Sequence, residues 1–252
     1  MDKDNRKILR RTEHLINQAV RKHKLIENND HIVIGLSGGI DSMILLHTLA
    51  MRRRYYTEQY QLTAVHVQLT NISYQANKKH LEQFCHQYDV PLIWHEEKAD
   101  INPQKVRKNP CFICSWNRRR ILFQLTEKLG ANKLALGHHR DDALETLLMN
   151  MIYHGSISSL PARLKMFNGN LILIRPLIYV GKEMLAAYAW INDINPQVKP
   201  CPFANRTNRR QSIAHLLTEM EKIHPAARNN LFRAMSHIYT EYLPEGEKDV
   251  CK

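Results

Sequence analysis

Residues 31–42 read His-Ile-Val-Ile-Gly-Leu-Ser-Gly-Gly-Ile-Asp-Ser. The apolar run that opens this stretch lacks the polar alternation of a half-exposed strand, which is typical of a parallel strand buried on both faces. The glycines that follow permit a sharp turn and a close approach of the backbone to an anion. Because the next residues read as a helix, the free N–H groups at its start can bind a phosphate. The stretch therefore predicts a strand, a phosphate-binding loop and a helix, and its binding candidates are Ser37, Gly38, Gly39, Asp41 and Ser42.

The polar side chains of this loop suggest separate roles. Ser37 and Ser42 can donate hydroxyl hydrogen bonds, whereas the Asp41 carboxylate cannot attract a phosphate but can hold Mg²⁺ against one. The loop does not have the G-x-x-x-x-G-K-[ST] pattern of a Walker loop. A plain strand-to-helix turn, with Asp41 as an acid in the first turn of the helix, is the alternative.

The rest of the chain alternates between apolar segments and helical patterns. We predict strands at 31–36, 62–67, 90–95, 133–137 and 169–176, and helices at 6–26, 43–54, 75–88, 115–129, 141–153, 181–192, 209–223 and 225–242. This alternation predicts an α/β fold with a mainly parallel sheet and extra N- and C-terminal helices. We expect a basic amphipathic helix at 1–27, a main domain at 28–200 and a C-terminal helical segment at 201–252.

The charge balance favours a polyanionic partner. The 252 residues include 36 basic and 24 acidic side chains, a formal net charge of +12, and the pI is near 9.5, as in many nucleic-acid-binding proteins. A basic protein without such a partner is the alternative. The first 26 residues lack the apolar core of a signal peptide, and no apolar run approaches the roughly 18 residues of a membrane span. We therefore expect a cytoplasmic protein that does not enter a membrane.

A second polar loop follows the predicted strand at 133–137. It reads Gly137-His138-His139-Arg140-Asp141-Asp142. Ligands in open α/β sheets bind beyond the carboxyl ends of the strands, so this loop should lie beside the first one. Its candidates for nucleotide binding are Gly137, His138 and Asp142, and Asp141 is a candidate for metal binding. Acids that merely complement the dipole of a helix are the alternative.

Three of the five cysteines stand in polar surroundings. Cys111 and Cys114 form a C-x-x-C pair, and Cys201 lies in a later segment that contains prolines. Two thiolates at this spacing can share a metal or a cluster, or they can form a redox dithiol. A structural zinc site is a further alternative. We expect Cys85 to be a buried apolar residue and Cys251 to be incidental.

These motifs together resemble a known family. Ser-Gly-Gly-x-Asp-Ser is similar to the signature of the PP-loop N-type ATP pyrophosphatases, which adenylate a carbonyl oxygen and release pyrophosphate. The order of the C-x-x-C pair, a basic run, the 137–142 segment and a late cysteine resembles the tRNA 2-thiocytidine synthetases from about residue 30 to 215. The resemblance implies a Rossmann-like sheet of the PP-loop type that uses ATP and Mg²⁺. It also implies a [4Fe–4S] cluster on Cys111, Cys114 and Cys201.

The same resemblance implies a function and partners. It suggests an ATP-dependent tRNA sulfurtransferase that converts cytidine 32 to 2-thiocytidine, with Asp41 and Asp141 serving Mg²⁺. It further implies a cysteine desulfurase as sulfur donor and allows a homodimer. Basic residues around the cysteines are the candidates for tRNA binding, namely Arg118, Arg119, Arg120, Arg209 and Arg210. Trp116 is expected either to stack on a base or to pack in the core.

Three departures from the family pattern leave other functions open. Ile40 stands where the loop usually has lysine, Gln68 lies where an acid often follows the second strand, and Ala204 replaces the partner of the late cysteine. A tRNA cytidine ligase, similar to the tRNA(Ile) lysidine synthetases, needs no cluster. A non-catalytic protein that binds RNA or an iron–sulfur cluster is the other alternative.

Overall fold

A computed structural model describes residues 2–99, 110–199 and 209–243, the side chains of residues 110 and 111 excepted. Its helices are α1 (Lys3–His23), α2 (Ile40–Tyr55), α3 (Lys78–Gln87), α4 (Pro110–Lys128), α5 (Arg140–His154), α6 (Lys182–Ile191), α7 (Arg209–Ile223) and α8 (Ala227–Ala234). Its strands are β1 (Asp30–Gly35), β2 (Tyr60–Leu69), β3 (Gln75–Ala76), β4 (Leu92–Glu97), β5 (Lys133–Ala135), β6 (Arg163–Met166), β7 (Leu171–Ile174) and β8 (Val198–Lys199). Short 3₁₀ turns occupy Phe167–Gly169 and Thr240–Tyr242.

Six strands form the central sheet, in the order β4-β2-β1-β5-β7-β6. Every neighbouring pair is parallel except β6 with β7, which is antiparallel. The chain adds β2 and β4 on one side of β1, then returns to place β5 on its other side. The gap beyond the carboxyl ends of β1 and β5 is therefore the switch point at which open α/β sheets bind ligands. The predicted α/β fold class is confirmed.

Burial explains why residues 31–42 decide this fold. Ile32, Val33 and Ile34 are fully buried, as expected for a central strand covered on both faces. Val33 lies opposite Leu134 of β5 and opposite Thr63 of β2. Helix α2 follows directly, and nearly all of its first three turns are buried, which covers one face of the sheet.

Several element boundaries differ from the predicted ones. Helix α4 begins at Pro110 rather than at residue 115, because proline is well suited to the first turn of a helix. Both cysteine positions of the C-x-x-C pair therefore lie on this helix. Strand β6 was not predicted, and its four residues pair only with β7 at the edge of the sheet. The helix predicted at 225–242 ends at Ala234, and the Ser236 hydroxyl binds the Arg233 carbonyl oxygen instead.

The chain divides into two compact units. Unit 1 comprises residues 1–143 and 160–207, and unit 2 comprises residues 144–159 and 208–252. Helix α1 belongs to unit 1, where it packs against α6. Unit 2 has its own apolar core, formed by Leu144, Leu148, Ile213 and Leu217. In the described parts of the chain, no helix is both long and apolar enough to cross a membrane.

A buried ion pair joins β1 and β5 at the ends remote from the switch point. The Lys133 Nζ atom lies 2.6 Å from Asp30 Oδ2 and 3.1 Å from Glu27 Oε2, and the Lys133 side chain is fully buried. The Asn132 amide donates to the other Asp30 oxygen at 2.7 Å. Removing one partner of a buried pair leaves an uncompensated charge, which is strongly destabilising.

We predict that Lys133→Ala lowers the free energy of unfolding by about 3–5 kcal/mol. Urea unfolding of the full chain, followed by circular dichroism, measures the change. Lys165→Ala is the matched control, because Lys165 is exposed on β6; it should change the value by less than about 0.5 kcal/mol. Equal effects of the two substitutions would contradict a structural role for the buried pair.

A buried histidine makes the stability depend on pH. Burial lowers the pKa of His47 from 6.5 to about 4, and its Nδ1 lies 3.0 Å from the Tyr188 hydroxyl. In the folded protein His47 is neutral at pH values at which the unfolded chain binds a proton. Stability therefore falls as the pH drops from 6.5 towards 4.

We predict that His47→Gln reduces this loss of stability by roughly 2 kcal/mol between pH 7 and pH 4.5, because most of the pKa difference of His47 takes effect within that range. Urea unfolding at pH 7 and at pH 4.5 measures it. The control is His14→Gln on the exposed side of α1, which should leave the pH dependence unchanged. A wild-type slope in His47→Gln would show that other groups cause it.

Candidate active site

The loop between β1 and α2 is held by its own hydroxyl groups. The Ser42 hydroxyl accepts the Ser37 N–H at 3.1 Å and donates to the Gly39 carbonyl oxygen at 2.8 Å. The Ser37 hydroxyl accepts the Gly39 N–H at 3.2 Å. Gly38 has a φ of +86°, and a Cβ there would lie 3.0 Å from Ala76 Cβ, so this turn requires glycine. No side chain caps α2 at Gly39, as in loops whose helix-start amides bind an anion.

The second loop touches the first one through Gly137. A Cβ at this position would lie 3.0 Å from the carbonyl carbon and oxygen of Asp41 and 3.1 Å from the Ser42 nitrogen. Because the contacted atoms are backbone, any side chain at position 137 would force the Asp41–Ser42 segment to shift by a few tenths of an ångström. The structure therefore brings together the two predicted parts of the nucleotide site, Ser37–Ser42 and residues 137–142.

A buried histidine lies between two carboxylates of these loops. His139 Nε2 is 3.9 Å from Asp41 Oδ2 and 3.5 Å from Asp142 Oδ2, and the His139 backbone N–H donates to Asp142 Oδ2 at 2.9 Å. Burial raises the pKa of Asp41, and the nearby Asp142 adds to the rise, whereas His139 and Lys182 oppose it. A carboxylate that is poorly solvated beside a second one is a suitable ligand for Mg²⁺.

Asp141 is placed differently from its two acidic neighbours. It is 5% exposed, and its Oδ2 accepts the backbone N–H of Lys182 at 2.8 Å. Lys182 is the first residue of α6, so Asp141 fixes the start of that helix next to the loop. This contact brings Lys182 to the site, where its charge acts on Asp41.

Arg175, which directly follows β7, was not predicted from the sequence as a residue of the site. Its Nη1 donates to the Pro161 carbonyl oxygen at 2.6 Å, and its Nε donates to His138 Nδ1 at 3.3 Å. Burial lowers the pKa of Arg175 to about 10, so it remains a cation at neutral pH. Its position at the carboxyl end of a central strand is a signal that the sequence contained. Arg175 orients His138, one of the predicted nucleotide-binding residues.

Cys114 neighbours Tyr74, a residue that contacts the phosphate loop. It is half-buried on α4 and packs against the apolar core of unit 1. The Tyr74 hydroxyl donates to the Ser37 carbonyl oxygen at 2.9 Å. Burial raises the pKa of Tyr74, with a further rise from Cys114 and an opposing effect of Arg118. Tyr74 is thus a common neighbour of the phosphate loop and of a predicted cluster ligand, which the sequence analysis did not identify.

The structure describes one side chain of the predicted cluster site, that of Cys114. Positions 111 and 114 are one helical turn apart on α4, which suits two ligands of one cluster. The Cys111 side chain, Cys201 and Cys251 lie outside the described residues. Within the described ranges, no three His, Cys, Asp or Glu side chains lie close enough to hold a metal ion. Cys85 is buried as predicted, and burial raises its pKa to about 12.

The three predicted RNA-binding arginines of α4 have different surroundings. Arg120 Nη2 lies 2.5 Å from Glu97 Oε1, and exposed Arg119 donates to the carbonyl oxygen of Ser115 on its own helix. The Arg118 guanidinium is half-buried, 4.6 Å from the centre of the Tyr74 ring. Trp116 is 48% exposed, which excludes the alternative of core packing.

The two remaining predicted RNA-binding residues begin α7 in unit 2. Arg209 lies over the Tyr153 ring at 4.5 Å, and Arg210 forms an ion pair with Glu145. Both arginines have exposed side chains. The pairing shows that Glu145, on α5, orients a basic partner.

Comparisons with known proteins identify the family and the fold of the chain. Residues 5–209 match the ATP_bind_3 family model, described as a PP-loop domain. The tRNA-cytidine(32) 2-sulfurtransferase of Polynucleobacter asymbioticus is 35% identical over 92% of this chain and 78% of that protein. The protein of the same name from Geobacter sulfurreducens is 33% identical over 93% of this chain and 92% of its own length. The solved structure of the U34-tRNA thiolase NcsA from Methanococcus maripaludis, with its [4Fe–4S] cluster, superposes with a TM-score of 0.78 at 22% identity, covering 98% and 83% of the two chains.

We predict that Gly137→Ala weakens ATP binding at least ten-fold, because the added methyl group forces the Asp41–Ser42 backbone to move. Isothermal titration calorimetry of the full chain with Mg·ATP measures the affinity. Gly155→Ala is the control, since a Cβ there meets nothing within 4 Å and its positive φ carries only the usual cost of about 1–2 kcal/mol. Unchanged ATP affinity in Gly137→Ala would contradict a nucleotide site between the two loops.

Proposed function

The chain belongs to the tRNA-cytidine(32) 2-sulfurtransferase family of PP-loop proteins, and on this premise we propose that it is an ATP-dependent tRNA sulfurtransferase. Its substrate is cytidine 32 of tRNA and its product is 2-thiocytidine. The observation that carries the proposal is the position of Tyr74, which hydrogen-bonds to the phosphate loop and neighbours Cys114. The Tyr74 side chain thus connects the loop proposed to bind ATP with a cysteine proposed to take part in sulfur transfer.

The first half of the reaction activates the base. The helix-start amides and the hydroxyl groups of Ser37 and Ser42 bind the phosphates of ATP, and Asp41 holds Mg²⁺ against them. Gly137, His138 and Asp142 complete the nucleotide site from the second loop. The C2 oxygen of the cytidine attacks the α-phosphorus and pyrophosphate leaves, so that C2 carries an adenylate.

The second half exchanges oxygen for sulfur. A sulfur nucleophile adds to C2, and AMP departs with the original oxygen. Cys111, Cys114 and Cys201 would hold a [4Fe–4S] cluster that supplies this sulfur when bound, and thiolates are suitable ligands for iron. The half-buried setting of Cys114 against an apolar core fits such a ligand. A cysteine desulfurase is the proposed source of the sulfur.

Exposed groups near the cysteines fit a tRNA partner. Arg119 and Trp116 are exposed on α4, where they can bind backbone phosphate and stack on an unpaired base. Arg209 and Arg210 offer a second basic surface on unit 2. Arg120 is a further candidate on α4, where it forms an ion pair with Glu97. A cytoplasmic location stays a prediction from the sequence, and a homodimer stays what the resemblance to the family allows.

The test is the formation of 2-thiocytidine. The purified chain, reconstituted anaerobically with iron and sulfide, is incubated with tRNA, Mg·ATP and a sulfide source, and the nucleosides are analysed by mass spectrometry. We expect 2-thiocytidine with the wild type and a loss of at least a hundred-fold with Asp41→Asn or Cys114→Ser. Cys85→Ala is the matched control, because Cys85 is a buried thiol outside the site, and it should retain activity.

Three other results would each indicate a different function. An amine-modified cytidine whose formation survives Cys114→Ser would establish a ligase without a cluster. Bound RNA or cluster without any tRNA-dependent exchange of pyrophosphate into ATP would establish a non-catalytic protein. Zinc in place of iron and sulfide in the purified chain would remove the cluster from the mechanism.

A further inference from the structure

Arg118 holds a charge that the described residues leave unpaired. Its Nε and Nη2 atoms are both buried and have no hydrogen-bond partner. The guanidinium contacts an aromatic ring instead, since its carbon atom lies 4.6 Å from the centre of the Tyr74 ring. A buried donor without a partner costs about 1–3 kcal/mol, and more when it is charged. Such a group in a native fold calls for a ligand that satisfies it.

Within the described ranges, no carboxylate forms an ion pair with Arg118. Gln68 donates through Nε2 to the Tyr74 carbonyl oxygen at 2.8 Å, and its Oε1 is buried without a partner. His66 donates from Nδ1 to the Leu36 carbonyl oxygen at 2.8 Å, and its Nε2 is likewise unpartnered. Burial lowers the pKa of His66, with a smaller effect of Arg118 in the same direction. A neutral amide and a neutral imidazole therefore accompany the guanidinium, and neither neutralises it.

The phosphate loop has the opposite deficit. Residues 37–42 contain no lysine or arginine, and Asp41 adds a negative charge. The loop is joined to Arg118 through Tyr74, whose hydroxyl donates to the Ser37 carbonyl oxygen. Arg118, a cation without an ion-pair partner, and the anion-binding loop, which has no basic residue, thus both contact Tyr74.

We propose that Arg118 binds the α-phosphoryl group of the nucleotide and supplies the positive charge that the phosphate loop lacks. This inference rests on the proposed ATP-dependent function. The loop amides take the β- and γ-phosphates, whereas the α-phosphoryl group must reach the base and the sulfur. Tyr74 adjoins both the loop and Cys114, so the guanidinium stacked on it lies on the side where that group is transferred. Arginine suits this role, because its planar fork binds phosphate oxygens in pairs.

The test measures the affinities of three nucleotide fragments without tRNA. Isothermal titration of the reconstituted full chain with ATP, AMP and pyrophosphate compares the wild type with Arg118→Gln. We expect affinity for ATP and AMP to fall about ten-fold to a hundred-fold, the loss typical of a charge-assisted hydrogen bond. Affinity for pyrophosphate should stay within two-fold. Lys128→Gln is the matched control, because Lys128 is the exposed last residue of α4, and it should leave all three affinities unchanged.

A second variant keeps Arg118 but gives its guanidinium a competing carboxylate partner. Gln68→Glu places a carboxylate at a side chain that contacts the Tyr74 backbone and neighbours His66, on which the Arg118 charge acts, so that it can pair with the guanidinium. We expect it to weaken ATP binding by itself and to add little to Arg118→Gln, so that the two substitutions are strongly non-additive. This variant also keeps the proposal testable if Arg118→Gln lowers the melting temperature.

Three results would overturn the proposal. ATP affinity that is unchanged in Arg118→Gln would remove the contact altogether. An equal loss for pyrophosphate would exclude the α-phosphoryl group as the ligand. A loss confined to tRNA affinity, with a reduced salt dependence, would show that Arg118 binds RNA backbone phosphate. Because the titrations need no sulfur transfer, failure to form 2-thiocytidine would reject the proposed function and leave the Arg118 result standing.

Discussion

The contact between Gly137 and the Asp41–Ser42 backbone is the constraint on which the site depends. It exists because β1 and β5 are hydrogen-bonded neighbours, with Ile34 opposite Ala135, so that the loops after them leave the sheet side by side. The backbone approach is close enough that a side chain at position 137 would displace the Asp41–Ser42 backbone. His139 then lies between acids from the two loops, and Asp141 can reach the start of α6. Each later contact of the nucleotide site follows from this one.

The sequence was sufficient for the features that depend on local pattern. An apolar run that ends in a glycine turn predicts β1, the phosphate loop and α2, and alternating segments predict the parallel sheet. Short edge elements carried weaker signals. Strand β6 alternates over only four residues, and β3 and β8 have two residues each, too few to differ from loop. The start of α4 at Pro110 was missed because the polar surroundings of the cysteines resembled a connection.

The side chains that complete the site were harder to predict, because they come from distant parts of the chain. Tyr74 reaches Ser37 across 37 positions, and Arg175 reaches His138 across the same number. Runs of like residues gave an equally poor guide to role. Arg118, Arg119 and Arg120 are consecutive, yet one covers a ring, one faces solvent and one pairs with an acid. A helix turns by about 100° per residue, so neighbours in sequence meet different surroundings.

The ion pair of Lys133 and Asp30 occupies the starts of β5 and β1, whereas the nucleotide loops occupy their ends. A strand of six residues spans roughly 20 Å, so the charges that anchor the sheet lie far from the loops of the nucleotide site. The two rims of the sheet can therefore evolve separately. Residues such as Ile40 and Gln68 can change the charge of the reacting rim without disturbing the opposite one. The same sheet can in this way accept new substrates while the ion pair at the starts of β1 and β5 stays the same.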